Sequence, residues 1–114
     1  MSDDCIFCAI ASGRIPADIV AEHDEFIAFR DIAPKAPVHL VVIPRRHVAS
    51  LAEAGELPES VRSAMPVFLA DVASAAGVAE SGYRVVTNTG PDSRQSVFHL
   101  HWHVLGGVLL SDAM

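Results

Sequence analysis

Three of the chain's six histidines fall in one short run, His99-Leu100-His101-Trp102-His103, at every second position. On an extended strand alternate side chains point to the same face. The three imidazoles would therefore form a row, with Leu100, Trp102 and Val104 facing the opposite way into a core. A half-buried strand alternates apolar and polar residues simply because one face is wet, but its polar positions are rarely all histidine. Imidazole titrates near neutral pH, attacks electrophiles through its unprotonated nitrogen and binds metals. The row thus points to nucleophilic or acid–base chemistry, or to a metal site built from all three rings. A second suggestive spacing is Cys5-x-x-Cys8, the only two cysteines of the chain. In a reducing compartment a structural disulfide between them is not expected, which leaves a metal site, a redox pair or two inert residues. A redox pair normally opens a helix that follows a strand, and no strand is expected before Cys5.

A small scaffold must position these groups. At 114 residues the chain suits one domain, 1–114, and its 51% hydrophobic content supplies a core rather than a disordered segment. No apolar run is long enough to cross a bilayer, and the N-terminus lacks the pattern of a signal peptide, so a cytoplasmic protein without membrane contact is expected. The net charge of −6 speaks against a general nucleic-acid surface. A nucleotide substrate remains compatible with it, because a phosphate site depends on local donors.

Residues 4–12 have the polar start and apolar spacing of a short helix closed by Gly13. Ile19 to Glu22 and Phe26 to Asp31 read as two strands joined by a polar hairpin. The two prolines of Asp31–Pro37 make that stretch a loop. Val38 to Ile43, nearly all apolar, reads as a central strand buried on both faces and stopping at Pro44. Pro58 to Ala76 carries Val61, Met65, Phe68, Leu69 and Val72 on one helical face, with a kink or broken turn expected at Pro66 and an end at Gly77. Tyr83 to Asn88 is a fourth strand, Thr89 to Ser96 a polar loop, and Val97 to Val104 the last strand. The order defines an α+β fold with an antiparallel sheet.

The segment Gln95-Ser96-Val97-Phe98-His99-Leu100-His101-Trp102-His103-Val104 resembles the signature of the histidine triad (HIT) family, in which histidines alternate with apolar residues. The following Leu105-Gly106-Gly107 is similar to the Hint-like, nucleotide-binding branch. Matches recur in order along the chain: Cys5-Ile6-Phe7-Cys8, Arg14-Ile15-Pro16-Ala17, Phe29-Arg30-Asp31-Ile32, Ala36-Pro37-Val38-His39, Val42-Ile43-Pro44 with His47, and Val85-Val86-Thr87-Asn88. The resemblance implies a HIT-like fold, a five-stranded antiparallel sheet with an N-terminal helix and one longer helix, extended across a two-fold homodimer.

It also implies roles. His101 is the nucleophile, attacking an α-phosphorus to give a nucleotidyl-histidine that water hydrolyses. Its other nitrogen is held as N–H by a backbone carbonyl that the sequence does not identify. His103 contacts the phosphate oxygens, His39 supports the site from the adjacent strand, and Ser96 meets the phosphate or leaving group. Asp31 and Ile32 hold the ribose and base, and Asn88 and Gln95 belong to the phosphate loop. Phe7, Ile10, Phe29 and Val41 complete the implied nucleotide pocket. Arg94 stands where the family's loop usually has glycine, and its cation is expected to tune leaving-group preference. The zinc-binding bacterial members imply a structural Zn²⁺ on Cys5, Cys8, His47 and His99, a closed Cys2His2 shell. This would divide the triad between one metal ligand, one nucleophile and one phosphate-binding group. The implied activity is hydrolysis of a purine nucleoside 5′-phosphoramidate with release of AMP or GMP. The alternatives are hydrolysis of dinucleoside polyphosphates and nucleotide-binding regulation with little turnover.

Overall fold

A computed structural model describes residues 5–112. Helix α1 (Ile6–Ala11) leads into the hairpin of β1 (Ile19–Glu22) and β2 (Phe26–Arg30), then β3 (Val38–Pro44), α2 (Glu59–Ala75), β4 (Tyr83–Val86) and β5 (Trp102–Gly106). Single 3₁₀ turns at Leu51–Glu56 and Pro91–Ser93 were not expected from the sequence. The strands form one sheet in the order β1-β2-β3-β5-β4, with every neighbouring pair antiparallel. This is the expected α+β architecture. Among the described residues no helix is long and apolar enough to cross a membrane.

The two-residue period of the strands explains the layers. Phe26 and Ala28 of β2, Leu40 and Val42 of β3, and Trp102 and Val104 of β5 point to one face and pack with Val61, Phe68, Leu69, Val72 and Ala73 of α2. Ile27 and Phe29, with Val41 and Ile43, point to the other face and pack with Ile10 of α1. The sheet therefore lies between the two helices. His39 and His103 occupy the odd-numbered positions of β3 and β5, on the α1 face. The long helix packs on the opposite face, away from both histidines.

Several boundaries differ from expectation, each for a local reason. The first predicted helical residue, Asp4, lies outside the described residues, and Cys5 caps α1 by accepting the Cys8 N–H through its sulfur at 3.3 Å. Strand β2 ends at Arg30: the Asp31 N–H still reaches the His39 carbonyl (3.0 Å), but Asp31 Oδ1 accepts the Ala33 N–H (2.8 Å) and turns the chain into the loop. Strand β3 includes Pro44. Helix α2 runs unbroken past Pro66 and is followed by Gly77 at φ +81°, the left-handed turn that glycine supplies. Strand β4 stops at Val86, since the next two side chains bond elsewhere: Thr87 Oγ1 donates to the His101 carbonyl (2.7 Å) and Asn88 Nδ2 to the Ser93 carbonyl.

The main correction concerns the histidine strand, which begins at Trp102 and not at Val97. Pairing of β5 with β3 ends at Val42↔Trp102. Two residues further along β3, Pro44 has no N–H, and its carbonyl is taken by the His99 ring at 2.8 Å. The carbonyls of His99 and His101 are occupied by the His101 ring and the Thr87 hydroxyl. His99 and His101 thus sit on a lead-in to β5 whose carbonyls are taken by side chains, while the Leu100 N–H between them donates to the Val48 carbonyl at 2.8 Å. The alternation survives: Leu100, Trp102 and Val104 are all buried on the opposite side.

Candidate active site and metal cluster

The lead-in and β5 carry two adjacent groups of side chains. In the first, Cys5 and Cys8 come from the start of α1, His47 from the loop after β3, and His99 from the lead-in. Their ligand atoms all lie within 4.8 Å of one another. The His99 Nδ1 atom is 3.3 Å from Cys5 Sγ, 3.5 Å from Cys8 Sγ and 3.2 Å from His47 Nδ1, and Cys8 Sγ is 3.2 Å from His47 Nδ1. A tetrahedral ion with bonds of about 2.3 Å to sulfur and about 2.05 Å to nitrogen has edges of about 3.6 Å (S···N) and about 3.3 Å (N···N). The four side chains lie within a few tenths of an ångström of that geometry.

The tautomers fit as well. His99 Nε2 faces the Pro44 carbonyl, so it carries the proton and Nδ1 keeps a lone pair for the cluster. Burial is the largest influence on this ring and, with its histidine neighbours, holds its pKa down to about 4, so it is neutral at physiological pH. Burial and the neighbouring Cys5 thiol push Cys8 up to about 11. The raised pKa keeps Cys8 a thiol and a poor nucleophile; a cation at the centre of the cluster would favour its thiolate.

The second group holds His101, His103, His39 and Asp31. His101 Nδ1 donates to the carbonyl of His99 at 2.8 Å, which identifies the acceptor that the sequence left open. Its Nε2 therefore carries the lone pair. The Phe7 ring packs edge-on against His101, with centroids 5.0 Å apart, and lies 6.0 Å from His99 and 5.7 Å from Phe29. His39 Nδ1 accepts the Lys35 backbone N–H at 3.0 Å, and its Nε2 lies 2.9 Å from His103 Nδ1. Burial lowers the pKa of both His39 and His103, opposed by the Asp31 carboxylate.

The remaining predicted residues divide into a wall and a loop. Ile10, Phe29 and Val41 are buried in the α1-side core beneath the histidines, whereas Ile32 is fully exposed. Gln95 ties the polar loop together: its Oε1 accepts the Gly90 N–H (2.9 Å), and its Nε2 donates to the carbonyls of Ala49 (2.8 Å) and Val97 (3.1 Å). Ser96 is exposed beside it. Arg94 is exposed with φ +65°, so the arginine keeps the left-handed backbone that a glycine at this position would adopt. Asp31 does not point outward alone: Oδ1 accepts the Ala33 N–H (2.8 Å), and Oδ2 is 3.3 Å from His39 Nε2 and 3.8 Å from His103 Nδ1. Sequence reasoning missed Thr87, Pro44 and the Lys35 N–H. Two of these act through backbone atoms, which have no signature in residue type.

An alternating row of histidines, backed by a buried sheet and joined to a Cys2His2 cluster, defines a histidine-triad domain. Residues 12–108 match the HIT domain, and the chain belongs to that family. It is 48% identical to the uncharacterised HIT-like protein of Synechococcus elongatus, over 94% of this chain and 93% of that one. It is 38% identical to the purine nucleoside phosphoramidase of Escherichia coli, over 94% and 90% of the two chains. Among solved structures, a HIT family hydrolase from Legionella pneumophila superposes with a TM-score of 0.89 at 38% identity, over 96% of this chain and 97% of that one.

Proposed function

We propose that the protein is a nucleotide hydrolase or transferase acting at the α-phosphorus of purine nucleoside 5′-phosphoramidates through a nucleotidyl-His101 intermediate. The observation that carries this reading is the His101 Nδ1–H bond to the His99 carbonyl, which leaves the Nε2 lone pair for attack. In the first step Nε2 bonds to phosphorus as the P–N bond breaks and the leaving nitrogen takes the electron pair. Water then cleaves the N–P bond and releases the nucleoside monophosphate. Similarity to a phosphoramidase supports the substrate class. His103 and Ser96 meet the phosphate or leaving group, Asn88 and Gln95 hold the phosphate loop, and Asp31 and Ile32 lie at the sugar and base. Phe7 buttresses the nucleophile.

Cys5, Cys8, His47 and His99 would hold Zn²⁺, whose contribution is structural because the protein fills all four positions. The exposed side chains of Tyr83 and Val85 on edge strand β4 support a homodimer through that edge. The free thiols suit a cytoplasmic setting.

The test is a panel of adenosine and guanosine phosphoramidates and dinucleoside polyphosphates, ranked by kcat/KM, with mass spectrometry of the protein quenched in alkaline denaturant, which preserves a P–N adduct. A nucleotide adduct on the parent that is missing in His101→Ala is expected. Turnover without an adduct, or a preference for the polyphosphates, overturns the reading.

A further inference from the structure

The loop Asp31–Lys35 encloses His39. The Asp31 N–H donates to the His39 carbonyl (3.0 Å), the Lys35 N–H donates to His39 Nδ1 (3.0 Å), and the Ala33 N–H fixes the Asp31 carboxylate through Oδ1 (2.8 Å). These contacts dictate the tautomers. With Nδ1 facing a donor that cannot move its proton, neutral His39 carries its hydrogen on Nε2. That N–H faces His103 Nδ1 at 2.9 Å, so neutral His103 accepts there and carries its hydrogen on Nε2. Metal binding at Asp31, His39 and His103 is thereby disfavoured, although their ligand atoms also cluster within 4.8 Å. An ion needs the His39 Nε2 lone pair, and Lys35 denies the ring the tautomer that has one.

The same arrangement makes a second proton hard to place. Protonating His103 at Nδ1 sets two N–H groups against each other across 2.9 Å. The anion nearest the pair is Asp31, whose Oδ2 lies 3.3 Å from His39 Nε2 and 3.8 Å from His103 Nδ1, within ion-pair distance of both rings. The charged and titratable groups facing the pair are Asp31, Lys35 and His101. Burial, Lys35 and the neighbouring rings disfavour the cationic form, and Asp31 alone of these favours it.

We propose that Asp31 is a positioning residue that lets the His39–His103 pair take up one proton, so that His103 Nε2–H can protonate a basic amine leaving group. The inference rests on the reading of His101 as nucleophile. In balance, the His101 Nε2–P bond forms and the P–N bond breaks. The leaving nitrogen receives that bond's electron pair and the proton from His103 Nε2. His103 is left neutral with its hydrogen on Nδ1, beside the Asp31 carboxylate. A leaving group that departs as a stable anion needs no such proton.

Asp31→Asn keeps Oδ1 for the Ala33 N–H and removes the charge. It should be measured beside the parent on adenosine 5′-phosphoramidates of an alkylamine and on the 4-nitrophenyl ester of AMP. Each substrate should be made with ribose and with 2′,3′-dideoxyribose, which lacks the hydroxyls a sugar-binding carboxylate would hold. Expected is a fall in kcat of about 10²-fold for the alkylamine, against less than about threefold for the nitrophenyl ester, equal in both sugars. Histidine side-chain NMR of the variant should show the pair taking up its proton about one pH unit lower than in the parent. Equal losses on both leaving groups, or a loss that disappears with the dideoxy sugars, overturns the proposal. So does an unchanged titration in a folded variant. Absence of turnover by the parent overturns the phosphoramidase reading instead, while the titration still decides the role of Asp31.

Discussion

The two histidine groups are built from the same residue type on one short stretch of chain, yet they are opposite in what they leave free. In the metal cluster, the Pro44 carbonyl takes the Nε2 proton of His99 and turns Nδ1 inward, toward two sulfurs and a second ring. In the catalytic group, the His99 carbonyl takes the Nδ1 proton of His101 and turns Nε2 outward. The partner of the second nitrogen, and not the histidine itself, decides which nitrogen each ring leaves with a lone pair and where it points. His99 joins the two groups: its ring belongs to the cluster, and its carbonyl sets the tautomer of the nucleophile.

The sharpest way to break the contrast is to exchange the roles by deletion. His101→Ala should lower kcat roughly 10⁴-fold or more and leave metal content and melting temperature close to the parent's. A comparable loss in His47→Ala together with an active His101→Ala would reverse the assignment. Removal of the metal, by chelation or by Cys8→Ser, should cost more than about 4 kcal/mol in chemical denaturation, because it strips a buried closed shell. It should also lower kcat by about tenfold, as the His99 carbonyl loses its anchor. Unchanged stability after verified metal removal would show that the cluster is inert.

The pH dependence sharpens the same comparison. His99 is held near 4 in the fold, while an unfolded histidine titrates near 6.5. The unfolded chain therefore binds more protons between those values, and stability is complete above about pH 6.5 and lost as pH falls toward 4. The share from His99 reaches ~3 kcal/mol at the lower end. His39 and His103, also lowered, add in the same direction. Denaturation midpoints of the chelator-treated, metal-free protein at pH 7, 6 and 5, above most carboxylate titration, check this, and a flat profile would contradict it.

The sequence made the architecture and the membership of both groups legible, since period-two burial and residue type are written in side chains. Cys5, Cys8, His47 and His99 do converge, as do His39, His101 and His103. What it hid was anything decided by the main chain. The expected strand from Val97 fails because carbonyls of His99, His101 and Pro44 bond to side chains, and no local propensity announces that choice. The placement of Asp31 against two imidazoles was hidden for the same reason, since it depends on the backbone of the loop to Lys35.

The smallest effect belongs to Arg94, in the polar loop that Gln95 ties together. A non-glycine residue at φ +65° carries strain of about 1 kcal/mol, and glycine relieves it while loosening the unfolded chain by a similar amount. Arg94→Gly should therefore change stability by less than about 1 kcal/mol, which isolates its effect on substrates. Its guanidinium is exposed and makes no ion pair among the described residues. An exposed charge of this kind contributes at most about 1 kcal/mol, or roughly fivefold. The variant should thus lose up to fivefold in kcat/KM on a substrate whose leaving group carries a carboxylate or phosphate, and almost nothing on one with an uncharged alkylamine. High salt should erase the difference in the parent, because screening acts on an exposed cation and not on the buried imidazole pair. An identical ratio of the two rates in parent and variant would remove Arg94 from the site and confine leaving-group selection to His103 and its partners.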